Sequence, residues 1–360
     1  MESDRPVIVV GGGAAGLMAA GCAGRRGRPV TVMERNPRPA RKVLITGKGR
    51  CNVTNNCTAE DAVAHVPGGG RFLYSAFSAF TPQDCMALFE EQGVPLKTER
   101  GGRVFPESDK AMDIADALAR YARTGGARIR QGRVSELLIA DGACRGVRQE
   151  DGSVLEAGAV IVCTGGLSYP LTGSTGDGYA LARQAGHTVT PLRPSLVPLE
   201  AEDGWCAALQ GLSLKNAGLT VRDEAGQKTI YRDFGEMLFT HFGLSGPMIL
   251  SASAHLRHMA RGRYTVHIDL KPALTPEQLD SRLVRDLRAE QNRAFGTLLG
   301  GLLPRSMVPV MAELCGVPPE RKCHSGRNGP GCSGSSRTCR YGSRASGRWK
   351  RPSSPPAAWP

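Results

Sequence analysis

Several things are scarce or missing in this chain, and each absence narrows what it can be. Aromatic residues make up only 5% of 360 residues. No run of 18 apolar residues occurs; the longest candidate, Val7 to Ala23, is rich in Gly and Ala and reads as strand plus helix rather than as a membrane span. The eleven cysteines contain no C-x-x-C pair and no metal-type spacing, so no metal site is expected. Their odd number, with no signal peptide in view, points to reduced thiols in a cytoplasm. Residues 321–360 contain no Asp or Glu, and no Leu, Ile, Val, Met or Phe either.

That last absence changes the meaning of the net charge. The chain carries +13, which suggests nucleic acid as a partner. Nine of the 46 Lys and Arg lie in the acid-free tail, leaving 37 against 33 acids, or +4, in the first 320 residues. The body is close to neutral. A small-molecule substrate is therefore expected, with neither nucleic acid nor membrane as a partner. Hydrophobic content of 41% with 22% charge suits a globular protein with room for two domains.

What is present is concentrated at the beginning. Pro6 opens the β-branched run Val7-Ile8-Val9-Val10, which has the length of a strand. Gly11, Gly13 and Gly16 follow with G-x-G-x-x-G spacing, then a small-residue helix over Ala14 to Arg26. Gly27 ends the helix, and Val30 to Met33 forms a second strand closed by Glu34. In such a βαβ unit the first glycine permits the tight turn. The second lets a pyrophosphate approach the backbone, and the third lets helix and sheet pack closely. The helix N-terminus attracts the phosphate charge. The terminal acid accepts from a ribose hydroxyl and disfavours a 2′-phosphate. Dinucleotide binding follows, with NAD and FAD both open on these residues alone.

Asn36 to Cys57 is too rich in Pro, Gly and Asn for regular structure and reads as a long loop, concentrating Arg41, Lys42, Lys48 and Arg50. Residues 71–92 read as helical, with Thr81-Pro82 as cap and first turn. Ser108 is placed to cap a helix bearing Met112, Ile114, Ala115, Leu118 and Tyr121. Ala127 to Ile139, Gly146 to Gln149 and Ser153 to Leu155 read as an antiparallel meander joined by Asp-Gly turns. Ala159 to Cys163 reads as a buried strand returning to the parallel sheet, and Thr164-Gly165-Gly166 as a close pass over a ligand. A proline-dense stretch ending at Pro198 marks a boundary. The expected domains are 1–191, Rossmann-like; 192–320, an inserted mixed α/β domain; and 321–360, a tail.

The motifs VGGGAAGLMAA, TGKGRCNVTN, GRVFPESDKA, CTGGLSYPLTGSTGDGYALA and GEMLFTHFGLSGP occur in this order over residues 7–250. By these the chain closely resembles the BaiN/YhiN-like flavoproteins, bacterial FAD-dependent oxidoreductases with a two-dinucleotide-binding-domain fold and an insert domain. The resemblance implies an α/β Rossmann-like domain holding FAD, with NAD(P)H as electron donor and hydride transfer to an unidentified organic acceptor. It implies that Gly11, Gly13, Ala14, Ala15 and Gly16 hold the pyrophosphate, and that Glu34, with Arg35 beside it, holds the adenosine ribose. Lys42, Gly49, Arg50, Cys51 and Asn52 would line the flavin end. Val134 would meet the adenine, and Thr164, Gly165 and Gly166 would close over the dinucleotide. The long basic loop and the meander favour FAD over NAD.

Two side chains are candidates for chemistry. Cys51 could be redox-active if Arg50 and Lys48 lower its pKa, although a packing role for it is the blander account. His241, between Thr240 and Phe242, is the best-placed histidine for acid–base work, set against a plain turn or core role. The tail from Arg321 cannot bury enough apolar surface to offset chain entropy. Where the family returns to the flavin domain, this chain does not. Back-translated with GC-rich codons wherever the code is degenerate, and read two nucleotides in, residues 335–360 acquire apolar periodicity and a normal acid–base balance. A reading-frame change near Cys323 is therefore expected, with 321–360 packing on nothing and flavin binding impaired. A non-enzymatic product and an RNA-associated flavoprotein are the competing readings.

Overall fold

The structure is a computed structural model that describes residues 5–257, 262–289, 293–322 and 344–350. The chain divides into two compact units, Met1–Pro191 and Leu192–Pro360.

The first unit runs β1 (Val7–Val10), α1 (Ala14–Arg25), β2 (Val30–Glu34), β3 (Thr54–Asn55), α2 (Ala59–Ala64), α3 (Tyr74–Ala79), α4 (Pro82–Glu91), β4 (Leu96–Thr98), β5 (Arg103–Pro106), α5 (Ala111–Thr124), β6 (Ala127–Gln131), β7 (Val134–Ala140), β8 (Ala143–Gln149), β9 (Val154–Glu156), β10 (Ala159–Val162) and α6 (Asp177–Gln184). Its centre is a parallel sheet in the order β10-β1-β2-β6. β1 sits inside, with Val7 opposite both Ala159 and Val30. Because strand side chains alternate, Val7, Val9, Val30 and Val32 face α1 and α5, and Ile8, Val10 and Met33 face the meander β7-β8-β9. A sheet covered on both faces requires such continuous apolar strands.

The cover on the first face depends on glycine. A Cβ on Gly24 would overlap the Gly125 carbonyl oxygen, and one on Gly21 would overlap the Tyr121 ring. α1 and α5 therefore cross at backbone distance, with the Arg25 guanidinium 3.7 Å over the Tyr121 ring.

Three local readings are corrected here. Ala127–Gln131 joins the parallel sheet beside β2 and is not part of the meander. Gly132 makes the break: its N–H donates to the Glu34 carbonyl at 2.9 Å, and Gln149 and Met33 crowd the place of its absent Cβ. The helical stretch 71–92 is interrupted at Phe80, whose backbone is extended, and α4 restarts behind a Thr81–Asp84 capping box. Ser108 does not cap α5; Lys110 holds the cap position, and Ser108 Oγ bonds the Asp113 carboxylate instead.

The second unit contains β11 (Leu199–Ala201), α7 (Trp205–Ala208), β12 (Ser213–Asp223), β13 (Lys228–Thr240), β14 (Gly243–Ser245), α8 (Pro247–His255), β15 (Tyr264–Asp269), α9 (Pro276–Ala289), α10 (Phe295–Gly300), α11 (Val308–Leu314) and β16 (Arg344–Lys350). Its strands close into a barrel, β11-β14-β13-β12-β15-β16. Val221, Phe239, Leu244, Val266 and Ile268 belong to a core completed by Met248, Ile249 and Met311 of the helices. Closure depends on the tail: β16 pairs antiparallel with β15 and with β11. The expectation that 321–360 packs on nothing therefore fails for Arg344–Lys350, and also for Arg321 and Lys322, where the Phe295 N–H donates to the Arg321 carbonyl at 2.8 Å and Lys322 bridges Ala294. Main-chain N–H and C=O groups carry that pairing, so a segment without large aliphatic residues can still close a barrel. The rest of that expectation lies outside the described residues beyond Lys322. No helix among the described residues is long and apolar enough to cross a membrane.

Candidate cofactor site at the C-terminal end of the parallel sheet

The turn leaving β1 is built by three glycines in three different situations. Gly11 has φ +103°, and a Cβ there would lie 2.5 Å from the Cys163 carbonyl oxygen. A Cβ on Gly16 would overlap the Gly11 carbonyl, so α1 rests directly on the turn. Gly13 differs: its φ of −77° suits any residue, and nothing lies within 4 Å of where a Cβ would stand. Gly13 is the N-cap of α1; no side chain caps this helix, its first turn has no acid, and Ala14 and Ala15 are exposed. A helix leaves its first N–H groups without intrahelical partners. Here they border the open space at Gly13, an arrangement that suits an anion such as a pyrophosphate.

Glu34 ends β2 and is buried at 7% exposure. Gly12 N–H donates to its Oε2 at 2.7 Å. Asn36 donates to its Oε1 from both the main chain, 2.8 Å, and Nδ2, 2.7 Å. Of about four carboxylate lone-pair positions three are taken, which fixes the carboxylate and leaves one for a hydroxyl donor. Asn36 was not read from the sequence as part of this site. An amide two residues after the β2 acid, before a proline, is the available signal for such a local turn.

Arg35 turns to the start of α6, donating to Thr175 Oγ1 at 2.7 Å and Asp177 Oδ2 at 3.3 Å. Arg133 grips the same Asp177 with Nε and a terminal nitrogen, both at 3.1 Å. These bonds, Arg133 first and then Thr175 and Arg35, hold the Asp177 carboxyl below its usual range against the opposing effect of burial. A depressed folded pKa contributes stability above the unfolded value, about 3.9, and that stability is lost as pH falls through the folded pKa. Asp177→Asn should therefore cost about 1–2 kcal/mol at pH 7. The difference from the parent should vanish in urea melts run progressively below pH 4.

The loop after β2 is more ordered than its composition implied. Val43–Gly49 forms short 3₁₀ turns, broken where Gly47, Lys48 and Gly49 take left-handed φ of 56°, 58° and 84°. Lys42 Nζ reaches Ser168 Oγ at 3.3 Å, and burial lowers its pKa. It lies 3.9 Å from the place of a Gly165 Cβ, so this loop meets the turn after β10. Gly165 has φ +74°, with Ser174 Oγ 2.8 Å from that same place, and the Tyr179 hydroxyl stands 3.1 Å from where a Gly166 Cβ would be. Thr164, Gly165 and Gly166 are thus packed under residues 174–179.

The other named residues divide. Val134 is 4% exposed and packs with Ile8, Val10 and Met33, offering no side-chain surface. Arg50 turns to Glu99 and Asp109. The Asn52 amide, with its nitrogen toward the Val104 and Thr54 carbonyls at 3.2 and 3.0 Å, donates to main chain. Gly49 has open space beside it. Cys51 is 6% exposed at φ +60°, and burial pushes its thiol up. With Arg50 occupied by two acids, the cation that would activate Cys51 is engaged elsewhere. Cys51→Ala should accordingly leave flavin reduction by nicotinamide within about twofold of the parent, since the thiolate is the reactive form and burial opposes it. His241 is exposed at the β13–β14 turn of the second unit, edge-on to Phe242 at 4.9 Å.

Among the described residues no group of three His, Cys, Asp or Glu could hold a metal ion. The family described as "HI0933-like protein Rossmann domain" matches residues 5–326. A 3-dehydro-bile acid delta(4,6)-reductase of Clostridium scindens is 31% identical over 85% of this chain and 74% of its own length. A ribosomal RNA dihydrouridine synthase of Escherichia coli is 30% identical over 86% of this chain and 74% of its own length. Among solved structures, the open conformation of a flavocytochrome c3 fumarate reductase is similar at 21% identity and a TM-score of 0.43, over 59% of this chain and 47% of the other. With the family model matching residues 5–326 and curated relatives at 30% identity or above, the chain belongs to the HI0933-like Rossmann family.

Proposed function

We propose that this chain binds FAD in the cradle at Gly13 and reduces a carbon–carbon double bond conjugated with a carbonyl, with NAD(P)H as the donor and a small molecule as the acceptor. The observation that carries the reading is the uncapped N-terminus of α1 opening on free space at Gly13, beside the fixed carboxylate of Glu34. In this reading the N–H groups of the first turn of α1 hold the pyrophosphate, and Glu34 accepts from the adenosine ribose. The turn at Thr164-Gly165-Gly166 and Lys42 bound the far side. FAD supplies the two-electron chemistry, while the chain binds it, orients it and keeps water from it. The acceptor class rests on what the two curated relatives share by name. A delta(4,6)-reductase acting on a 3-dehydro bile acid and a dihydrouridine synthase both saturate a carbon–carbon bond near a carbonyl.

The second of those relatives favours a further reading, in which the acceptor is a uridine of ribosomal RNA. The near-neutral body, 37 bases against 33 acids over the first 320 residues, favours the small molecule. The cysteine pattern, read as reduced thiols, supports a cytoplasmic location.

We also infer that the reading frame changes near Cys323. The family match ending at residue 326 supports this, the pairing of Arg344–Lys350 with β11 and β15 counts against it, and sequencing the gene across codons 315–330 decides between them.

The test of function is direct. The chain rewritten beyond Cys323 in the shifted frame is purified, loaded with FAD, gel-filtered and titrated anaerobically with NADH and with NADPH. It is then offered a steroid dienone or unmodified ribosomal RNA. Bleaching of the flavin by a nicotinamide, followed by turnover with the dienone alone, is the expected result. Turnover with RNA alone favours the second reading, and a flavin that neither nicotinamide bleaches removes the donor.

A further inference from the structure

The loop Thr46–Val53 follows an unusual path. Gly47, Lys48, Gly49 and Cys51 all have left-handed φ, and two of these four are not glycine. Non-glycine residues in that region are strained and persist only where their surroundings impose the conformation. Here the surroundings are the β4–β5 hairpin and the turn before α5. Arg50 is the main tie. Its Nε donates to Asp109 Oδ1 at 2.8 Å, and its terminal nitrogens bond Glu99. Its guanidinium lies 4.2 Å from the Phe105 ring centroid. Phe105 is buried, and its ring reaches within 3.4 Å of where a Gly47 Cβ would be, so one ring supports both the cation and the first left-handed residue. Lys97 steadies Asp109 from the other side at 2.7 Å. Val53 N–H and the Asn52 amide add bonds to the Val104 carbonyl on β5.

What this leaves exposed is the opposite side of the loop: Lys48, and Gly49 with nothing within 4 Å of a Cβ position. The basic side chain that sequence alone would aim at a cofactor is therefore turned along the surface toward the β4–β5 hairpin and Asp109, still a third exposed, and the backbone around Gly49 is left open.

We propose that Arg50 is a positioning residue: through Glu99, Asp109 and Phe105 it clamps the Thr46–Val53 loop in its left-handed path, presenting the backbone at Lys48–Gly49 to the flavin without touching the flavin itself. The proposal rests on the flavin reading above. It differs from direct binding in what the acids do. If Arg50 bound the cofactor directly, removing Glu99 and Asp109 would free a cation and leave FAD binding intact or tighter. If Arg50 clamps the loop, removing the acids reproduces the loss of the arginine.

The experiment uses the full chain with free FAD as the probe. Arg50→Ala and the double variant Glu99→Ala with Asp109→Ala are compared with the parent for FAD dissociation constant, visible circular dichroism of bound FAD and thermal melting of the flavin-free chain. A second arm digests the flavin-free chains with trypsin and measures cleavage after Lys48. The expected result is at least tenfold weaker FAD binding in both variants, an altered visible dichroism and faster cutting at Lys48, with melting little changed. Arg50→Lys, which keeps charge but loses the fork, should fall between. An acid-pair variant that binds FAD as tightly as the parent overturns the proposal. So does unchanged cleavage at Lys48, or an affinity loss matched by collapse of melting in Arg50→Lys as well. A parent chain that binds no FAD sinks the flavin reading, and the trypsin arm then still reports on the clamp alone.

Discussion

In the chain with its frame restored beyond Cys323, Gly13→Val should leave the protein folded and strip it of flavin, whereas Gly16→Ala, a smaller change three residues on, should damage the fold. The two positions look alike in the motif and differ in what surrounds them. Gly13 has backbone angles any residue adopts and no atom within 4 Å of a Cβ, so a valine meets only the space reserved for a ligand. Exchanging glycine at an N-cap alters helix stability by about 1 kcal/mol at most. A pyrophosphate, in contrast, must approach the main chain at that point, and a branched side chain prevents it. At least a hundredfold weaker FAD binding is expected with a melting temperature within a few degrees of the parent. At Gly16 the added methyl overlaps the Gly11 carbonyl oxygen, and α1 must move off the sheet. That is overpacking against backbone, costing about 3 kcal/mol or more, at the upper end of what small-to-large changes cost. Absorbance after gel filtration reads the first effect and circular dichroism the second. Yellow, fully loaded Gly13→Val protein would remove the cradle from the site.

The contrast also shows what could be read in advance. The β1–α1–β2 unit was legible because apolar period, turn glycines, helix stop and terminal acid all agree over one short stretch. Its partner β10 was legible as another continuous apolar strand, but the expectation that it is buried fails: it is an edge strand, exposed at Ala159 and Val162. β6 was not: Ala127 to Ile139 reads as one strand-like run, and only the tertiary role of Gly132, bonded to the Glu34 carbonyl, divides it between two sheets. The site was half legible. Residue types mark Glu34, but not the Gly12 and Asn36 donors that fix its carboxylate. Arg50 was placed with its neighbours because adjacency in sequence is all a motif provides. Four left-handed residues at 47–51 turn the chain so that the arginine meets Glu99 and Asp109, and backbone handedness at non-glycine positions such as Lys48 and Cys51 is invisible to composition. β16 escaped notice for a related reason: strand pairing draws on main-chain groups that every residue except proline provides in full.

Rewriting the chain beyond Cys323 in the shifted frame should raise the yield of flavin-loaded protein at least tenfold. The argument starts from β10. Ala159-Val160-Ile161-Val162 is as apolar as β1, yet where β1 is buried throughout, β10 lies at the edge of its sheet with Ala159 exposed and Val162 40% exposed. Strands of a parallel sheet are apolar because both faces are covered, and an open apolar edge recruits other chains. Such an edge calls for a further segment with aliphatic residues. Residues 321–360 contain no Leu, Ile or Val, while the shifted reading, back-translated with GC-rich codons, has apolar periodicity. The chain as written should therefore aggregate and bind FAD weakly, whereas the rewritten chain should remain monodisperse and yellow. Both are expressed side by side with a third chain ending at Lys322, and flavin per protein is measured after gel filtration. Equal, near-complete occupancy in the written and rewritten chains would show the segment to be dispensable. The third chain tests β16: if ending at Lys322 unfolds the barrel while the written chain melts cooperatively, Arg344–Lys350 is a genuine strand of this protein and the frame change is wrong.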